Sequence, residues 1–337
     1  LSAWASPRRL PFALDTTAEL AAFVEVGEVE YREASFLDDR ILAQTGEPRW
    51  IAWAEIEAAA QGLPAGCDFI FHVGHVGSTL LSRLLGQSER VFALREPAIL
   101  RAVARLDDPA ERQRRLAPLV PLLARTWRPA QRALVKATSF VGEIAPALTA
   151  AADGARAILM FAGPQAYIAG ILAGPASRRE MNLMAGSRLA RLDRRAGAGW
   201  RLEALDEGER AAMSWACELM GLASFAEGAA GDAVLWIDFD RFLVDPRAGL
   251  ARALRHLHGS ADPAEVEGMI AGPELGRYAK APEHPYDAAL RRRVLAEAQA
   301  AFREPIARGL AWLNALGNAW PSFAAAARAA ASGSREP

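Results

Sequence analysis

The chain has 337 residues, 39 of them basic and 40 acidic, and its formal charge of −1 offers no bulk field for nucleic acid or an anionic membrane surface. Apolar residues make up 52% of it, enough for one large α/β domain or two smaller ones, yet no run approaches the ~20 uninterrupted apolar residues of a membrane helix. Cys67 and Cys217 exclude a disulfide framework, no CxxC or His/Cys cluster offers a zinc site, and a reducing cytoplasm is the expected home.

The first stretch, "LSAWASPRRLPFALDTTAEL", lacks the basic-then-apolar layout of a secretory signal and begins without Met, so the natural start is expected to be missing or processed. Residues 1–67 read as a peripheral N-terminal segment, with "ASFLDDRIL" a loop and "WIAWAEIEAAAQG" a helix. From Asp68 the chain settles into alternation. The runs "DFIFHV", "RVFALR", "RALVKA", "ARAILMFA" and "DAVLWIDFD" are short, apolar and bounded by turn or charged residues, and they hardly alternate, as strands buried on both faces do not. Helical segments lie between them, one opening after Asp108–Pro109, an N-cap followed by a proline in the first turn, another near Asp206 and a third after Asp245–Pro246. The tail from Asp287 is Ala/Arg-rich and helical, broken at Pro305 and Pro321. Strands alternating with helices predict a three-layer α/β/α domain over residues 68–330, with a central parallel sheet and helical additions at both ends.

The junction of the first of these strands and its helix carries chemistry. In "DFIFHVGHVGSTLLSRLL" an apolar run gives way to Gly74, His75, Val76, Gly77, Ser78 and Thr79 before an amphipathic helix. A loop there sits at the carboxyl edge of a parallel sheet, where such folds bind ligands. Glycines let backbone N–H groups converge on an anion at the helix start, and Ser78 and Thr79 add hydroxyls. It differs from the GxxxxGK[ST] loop of nucleoside triphosphatases, because Ser78 stands where that loop has Lys.

Here the sequence resembles the sulfotransferases that use 3′-phosphoadenosine 5′-phosphosulfate (PAPS), whose fold is P-loop NTPase-like. "HVGSTLLSRLL" is similar to their 5′-phosphosulfate loop, with His75 in the basic place. "LREPAIL", "LVKATSF", "WIDFDRFLVDPRAGLARALRHL" and "GRYAKAPEHPYD" are similar to later family segments, and together the likeness spans about residues 68 to 290. The resemblance implies PAPS as cosubstrate, a small-molecule acceptor with a hydroxyl or amine, and no metal. One departure stands out: where the family has an Arg and a Ser for the donor's 3′-phosphate, this chain has Ala162 and Gly170.

Sulfuryl transfer needs an in-line acceptor, a base and cations at the moving oxygens. Glu96, just past the second strand, is the candidate base; a bland reading is a carboxylate at a helix start. Lys136 ends a buried strand at the same edge, where an ammonium requires an anion, either the donor's sulfonate or a nearby carboxylate. It and Lys280 are the only lysines among 39 basic residues. His75 is a candidate donor to the leaving phosphate, whereas His72 reads as structural and Arg95 as an oxyanion clamp or a surface charge. Arg277 and Lys280 are candidate substitutes for the missing 3′-phosphate contacts. The rival readings are a phosphotransferase or other nucleotide-using enzyme with a donor lacking the 3′-phosphate, and a nucleotide-binding protein without turnover.

Overall fold

The computed structural model describes residues 4–279 and 285–334. Five strands, β4 (Cys67–His72), β5 (Val91–Arg95), β6 (Arg132–Lys136), β7 (Ala157–Phe161) and β8 (Val234–Asp238), form one sheet in the order β5-β6-β4-β7-β8, and every pairing is parallel. Every residue of β4, β5 and β7 is buried, so helices must cover both faces. This is the three-layer α/β/α arrangement expected from the apolar runs. The chain leaves β4 toward β5 and β6 on one side and returns to β7 on the other, which puts the switch of direction at the carboxyl end of β4.

The helix starts follow their caps. Asp108 accepts from Ala110 N–H at the head of Pro109–Leu123, and Asp245 from Ala248 N–H at the head of Pro246–His258. Asp206 and Glu209 form a reciprocal capping box at the start of Glu207–Gly228. The tail is three helices, Ala288–Ala301, Arg303–Ala319 and Pro321–Gly333; its first break comes at Phe302, with Pro305 accommodated in the first turn of the next helix.

The N-terminal segment departs from its reading. It contains an antiparallel sheet of β1 (Arg9–Asp15), β2 (Leu20–Glu25) and β3 (Arg49–Ala52), and the expected helix in "WIAWAEIEAAAQG" begins only at Trp53. The alanines of "LAAFVE" and the proline of "RLPFALD" hide the strand pattern, which is stabilised instead by packing of β1 on the helix Ala98–Ala104. Buried apolar side chains form one cluster running from Leu10 to Ala330. No described helix is long and apolar enough to cross a membrane.

Candidate functional site

Between β4 and the helix Ser78–Leu85 the backbone enters the left-handed region at Gly74 (φ 90°), His75 (φ 55°) and Gly77 (φ 65°). Glycine does so freely, but a histidine there costs about 1–2 kcal/mol, so its surroundings must hold it. Successive left-handed turns aim N–H groups to one side, the geometry of an anion nest. His72 staples the base of the loop: its Nδ1 accepts from Gly74 N–H (3.0 Å) and its Nε2 lies 2.9 Å from Ala137 O, so Nε2 carries the proton and the ring is neutral. Thr79 is 2% exposed, and its Oγ1 has no hydrogen-bond partner among the described residues. A buried hydroxyl left so is costly, and a ligand oxygen at the helix start would satisfy it.

The ring of His75 lies against the helix Pro175–Ala196, with Ser177 Oγ 3.3 Å from Nδ1 and Glu180 Oε2 3.3 Å from Nε2. Neither Ser177 nor Glu180 is marked by any motif. The phenyl ring of Phe239 presses on Gly77, where a Cβ would collide with it. Phe239 opens a helix capped by Asp238, and Arg291 fixes it from above, 4.6 Å over the ring and 2.7 Å from Asp240 Oδ1.

Glu96 and Lys136 meet at the adjoining strand ends. In register, Arg95 pairs with Lys136, and Glu96 N–H donates to Lys136 O (2.7 Å). The side chains close the same contact: Lys136 Nζ donates to Glu96 Oε1, while Arg101 Nη2 (3.1 Å) and Thr138 Oγ1 (3.0 Å) donate to Oε2. Arg101 also reaches Asp38 Oδ2 (2.9 Å), which Arg40 holds from the other side. Burial pushes the Asp38 carboxyl up, but the Arg40 hydrogen bond and charge outweigh it, and the net direction is down. Lys136 is fully buried and Glu96 is 7% exposed, so each buried charge is stabilised by the other, and Arg101 supports the carboxylate as well. Of the two partners the sequence leaves open to Lys136, a nearby carboxylate is present in Glu96. Glu96 itself sits at φ 53°, a second strained residue at the same edge.

Two cavities flank this ion pair. One, of about 150 Å3, is lined by the loop from His75 to Leu80, by Lys136, and by Phe239, Arg277, Tyr286 and Arg291. The other, of about 490 Å3, is lined by Glu96, Arg101, Arg105, Phe36, Phe140 and Met184 among others. His72, His75 and Tyr278 line both, so they form the partition. Lys136 faces the first cavity and Glu96 the second.

Arg277 reaches the first cavity; Lys280 lies outside the described residues. Arg95 is neither a clamp nor a surface charge. It is 3% exposed and donates to the carbonyls of Ala34 (2.6 Å), Arg32 (2.9 Å) and Tyr31, and burial lowers its pKa to about 9. Ala162 is fully buried and its carbonyl accepts from Trp215 Nε1 (2.9 Å). Gly170 lines the first cavity, where a Cβ would stand 3.8 Å from Leu295 of the helix Ala288–Ala301. Arg291 was hidden in the sequence as one of three consecutive arginines; only its burial distinguishes it. Among the described residues no group of three or more His, Cys, Asp or Glu is placed to hold a metal ion.

No protein-family model and no curated protein sequence matches the chain. Solved structures similar to it include a sulfotransferase domain from the curacin biosynthetic pathway (16% identity, TM-score 0.45, covering 75% of this chain and 98% of that one). A sulfotransferase domain from the olefin synthase of Synechococcus PCC 7002 is similar at 17% identity and TM-score 0.41, over 70% of this chain and 95% of that one. A sulfotransferase of Mycobacterium avium is similar at 14% identity and TM-score 0.40, over 74% and 80%.

Proposed function

We propose that the chain transfers a sulfuryl group from PAPS to a hydroxyl or amine of a small molecule. The observation that carries this reading is the Lys136–Glu96 pair set between two cavities, cation toward the phosphate-type loop and carboxylate toward the other chamber. Glu96 takes the acceptor's proton as the acceptor oxygen or nitrogen bonds to sulfur. The bond between sulfur and the 5′-phosphate oxygen breaks, and the electron pair stays on the departing 3′,5′-adenosine bisphosphate (PAP). Lys136 and His75 face the charge that grows on the bridging oxygen, and the loop N–H groups with Thr79 Oγ1 hold the phosphate end.

The partnerless Thr79 hydroxyl supports the placing of the donor's 5′ end here, since a phosphate oxygen at the helix start would give it a partner. For the 3′-phosphate, Arg277 replaces the residues absent at Ala162 and Gly170. It is exposed, lines the first cavity, and among the described residues pairs with no carboxylate. A second reading has one observation in its favour: the wall around Gly170 is made apolar by Val294 and Leu295, as a donor without a 3′-phosphate would permit.

Isothermal titration with PAP and with adenosine 5′-phosphate separates the two. Under the first reading the wild type prefers PAP, and Arg277→Ala costs that ligand about 1.5–3 kcal/mol while leaving adenosine 5′-phosphate unchanged. A wild type that binds both alike has a donor other than PAPS, and the second reading replaces the first.

A further inference from the structure

Arg101 and Arg105 stand four residues apart at the end of the helix Ala98–Ala104, about 5–6 Å between their Cβ atoms, on one face. Arg101 is consumed by Glu96, Asp38 and Thr138. Arg105 is not. Its guanidinium lies 5.5 Å from the centre of the Phe140 ring, and among the described residues it makes no ion pair and donates no hydrogen bond. It is exposed and lines the same chamber as Glu96. A guanidinium resting on a ring keeps its N–H edge open for a planar or tetrahedral anion.

The local charge has the same sense. Arg40, Arg101, Arg105 and Lys136 gather around two carboxylates, Asp38 and Glu96. Two other charges on the chamber wall are already committed: Glu180 to His75 (3.3 Å) and Arg188 to Glu218 (2.8 Å). Phe36, Phe140, Met184 and Leu183, the last of them 83% exposed, give the wall apolar surface beside the polar Thr138, Ser139 and Tyr278. A wall that carries both apolar side chains and an arginine with no carboxylate partner among the described residues suits a ligand with an apolar body and a charged end.

We propose that the acceptor carries an anionic group, a carboxylate or a phosphate ester, which seats on Arg105 one helical turn from the hydroxyl or amine that reaches Glu96. This rests on the reading that the chamber beside Glu96 takes the acceptor. The probes are 4-hydroxyphenylpropionate, its neutral amide, and 4-hydroxyphenyl phosphate, titrated calorimetrically into the protein with and without saturating PAP. The acid or the phosphate should bind about tenfold tighter than the amide, consistent with one charge-assisted contact, and the tighter of the two identifies the anion. Arg105→Ala should equalise acid and amide, Arg105→Lys should keep most of the difference, and PAP affinity should be the same in all three proteins. Equal binding of acid and amide to the wild type, or binding of neither anion, overturns the proposal. Because the acids are also titrated without nucleotide, failure of PAP to bind counts against the donor reading alone.

Discussion

Glu96 and Glu218 are both glutamates buried between cations, 7% and 3% exposed, yet they sit in different kinds of structure. Glu218 lies within the regular helix Glu207–Gly228, and Arg188 (2.8 Å) and Arg191 (2.7 Å), both from the helix Pro175–Ala196, close on it. Burial pushes its carboxyl up, but the two arginines outweigh that and hold it below the usual range. Glu96 lies past a strand end on left-handed backbone, lines a cavity, and shares Arg101 with Asp38. A buried charge pair alone therefore says nothing about function. Strained backbone, and a carboxylate that itself lines a cavity, distinguish the pair proposed for chemistry from the pair that holds helices together.

The largest expected effect comes from the structural pair. Glu218→Ala leaves two buried guanidinium groups facing each other and should destabilise the fold by about 3–5 kcal/mol in urea unfolding. A cost below about 1 kcal/mol, within the range of an exposed pair, would erase the contrast. Glu96→Gln should do the reverse: PAP release from PAPS falls by ~100-fold or more while calorimetric PAP binding persists. If rate and binding decline together, Glu96 is a second Glu218.

Strain at the site can be tested in the loop. Gly77→Ala forces a side chain onto left-handed backbone and into Phe239, with an expected loss of about 2–4 kcal/mol in thermal unfolding. In a Phe239→Ala background only the backbone part, about 1–2 kcal/mol, should remain. Equal costs in the two backgrounds would mean that the ring moves freely.

The smallest effect is a pH dependence that separates the buried groups. Burial lowers the His256 pKa from 6.5 to about 4, against the weaker help of its hydrogen bond to Ala157 O. The unfolded chain then binds a proton that the folded one refuses, so stability is full above pH 6.5, falls as pH drops toward 4, and levels below. His258, also lowered by burial, adds to the same window. Glu218, with its pKa lowered from 4.5, contributes fully above that value and loses its contribution only further into acid. His256→Gln should therefore flatten stability between pH 6.5 and 4 and leave the steeper loss below it. An unchanged slope in that window would assign the early acid loss elsewhere.

The five parallel strands were legible because each is a short apolar run closed by a turn or charged residue, and three of the helices were legible from Asp108, Asp206 and Asp245 at their starts. The loop at Gly74–Thr79 was legible for a similar reason: glycines and hydroxyls between a strand and a helix have few other uses. The N-terminal sheet was not, because alanine carries no strand signal, β3 pairs with β2 from across intervening helices, and β1 packs on the distant helix Ala98–Ala104. Nor were Glu180, Arg291 and Phe239. Each is an ordinary residue in a helix, and its place beside the loop depends on which helix packs where.

Composition and periodicity by themselves determined the layered α/β class and the position of the loop, since these depend on neighbours within a few residues. Glu96 and Lys136 were nominated from their places at strand ends together with the family resemblance. Only the tertiary structure decided that Lys136 and Glu96, 40 positions apart, pair with each other, that Arg95 turns away under three carbonyls, and that Arg105 lines a chamber with no ion pair among the described residues. The reason is physical. A charge buried by folding must be met by whatever group the packing brings to it, and the partner comes from another strand or helix.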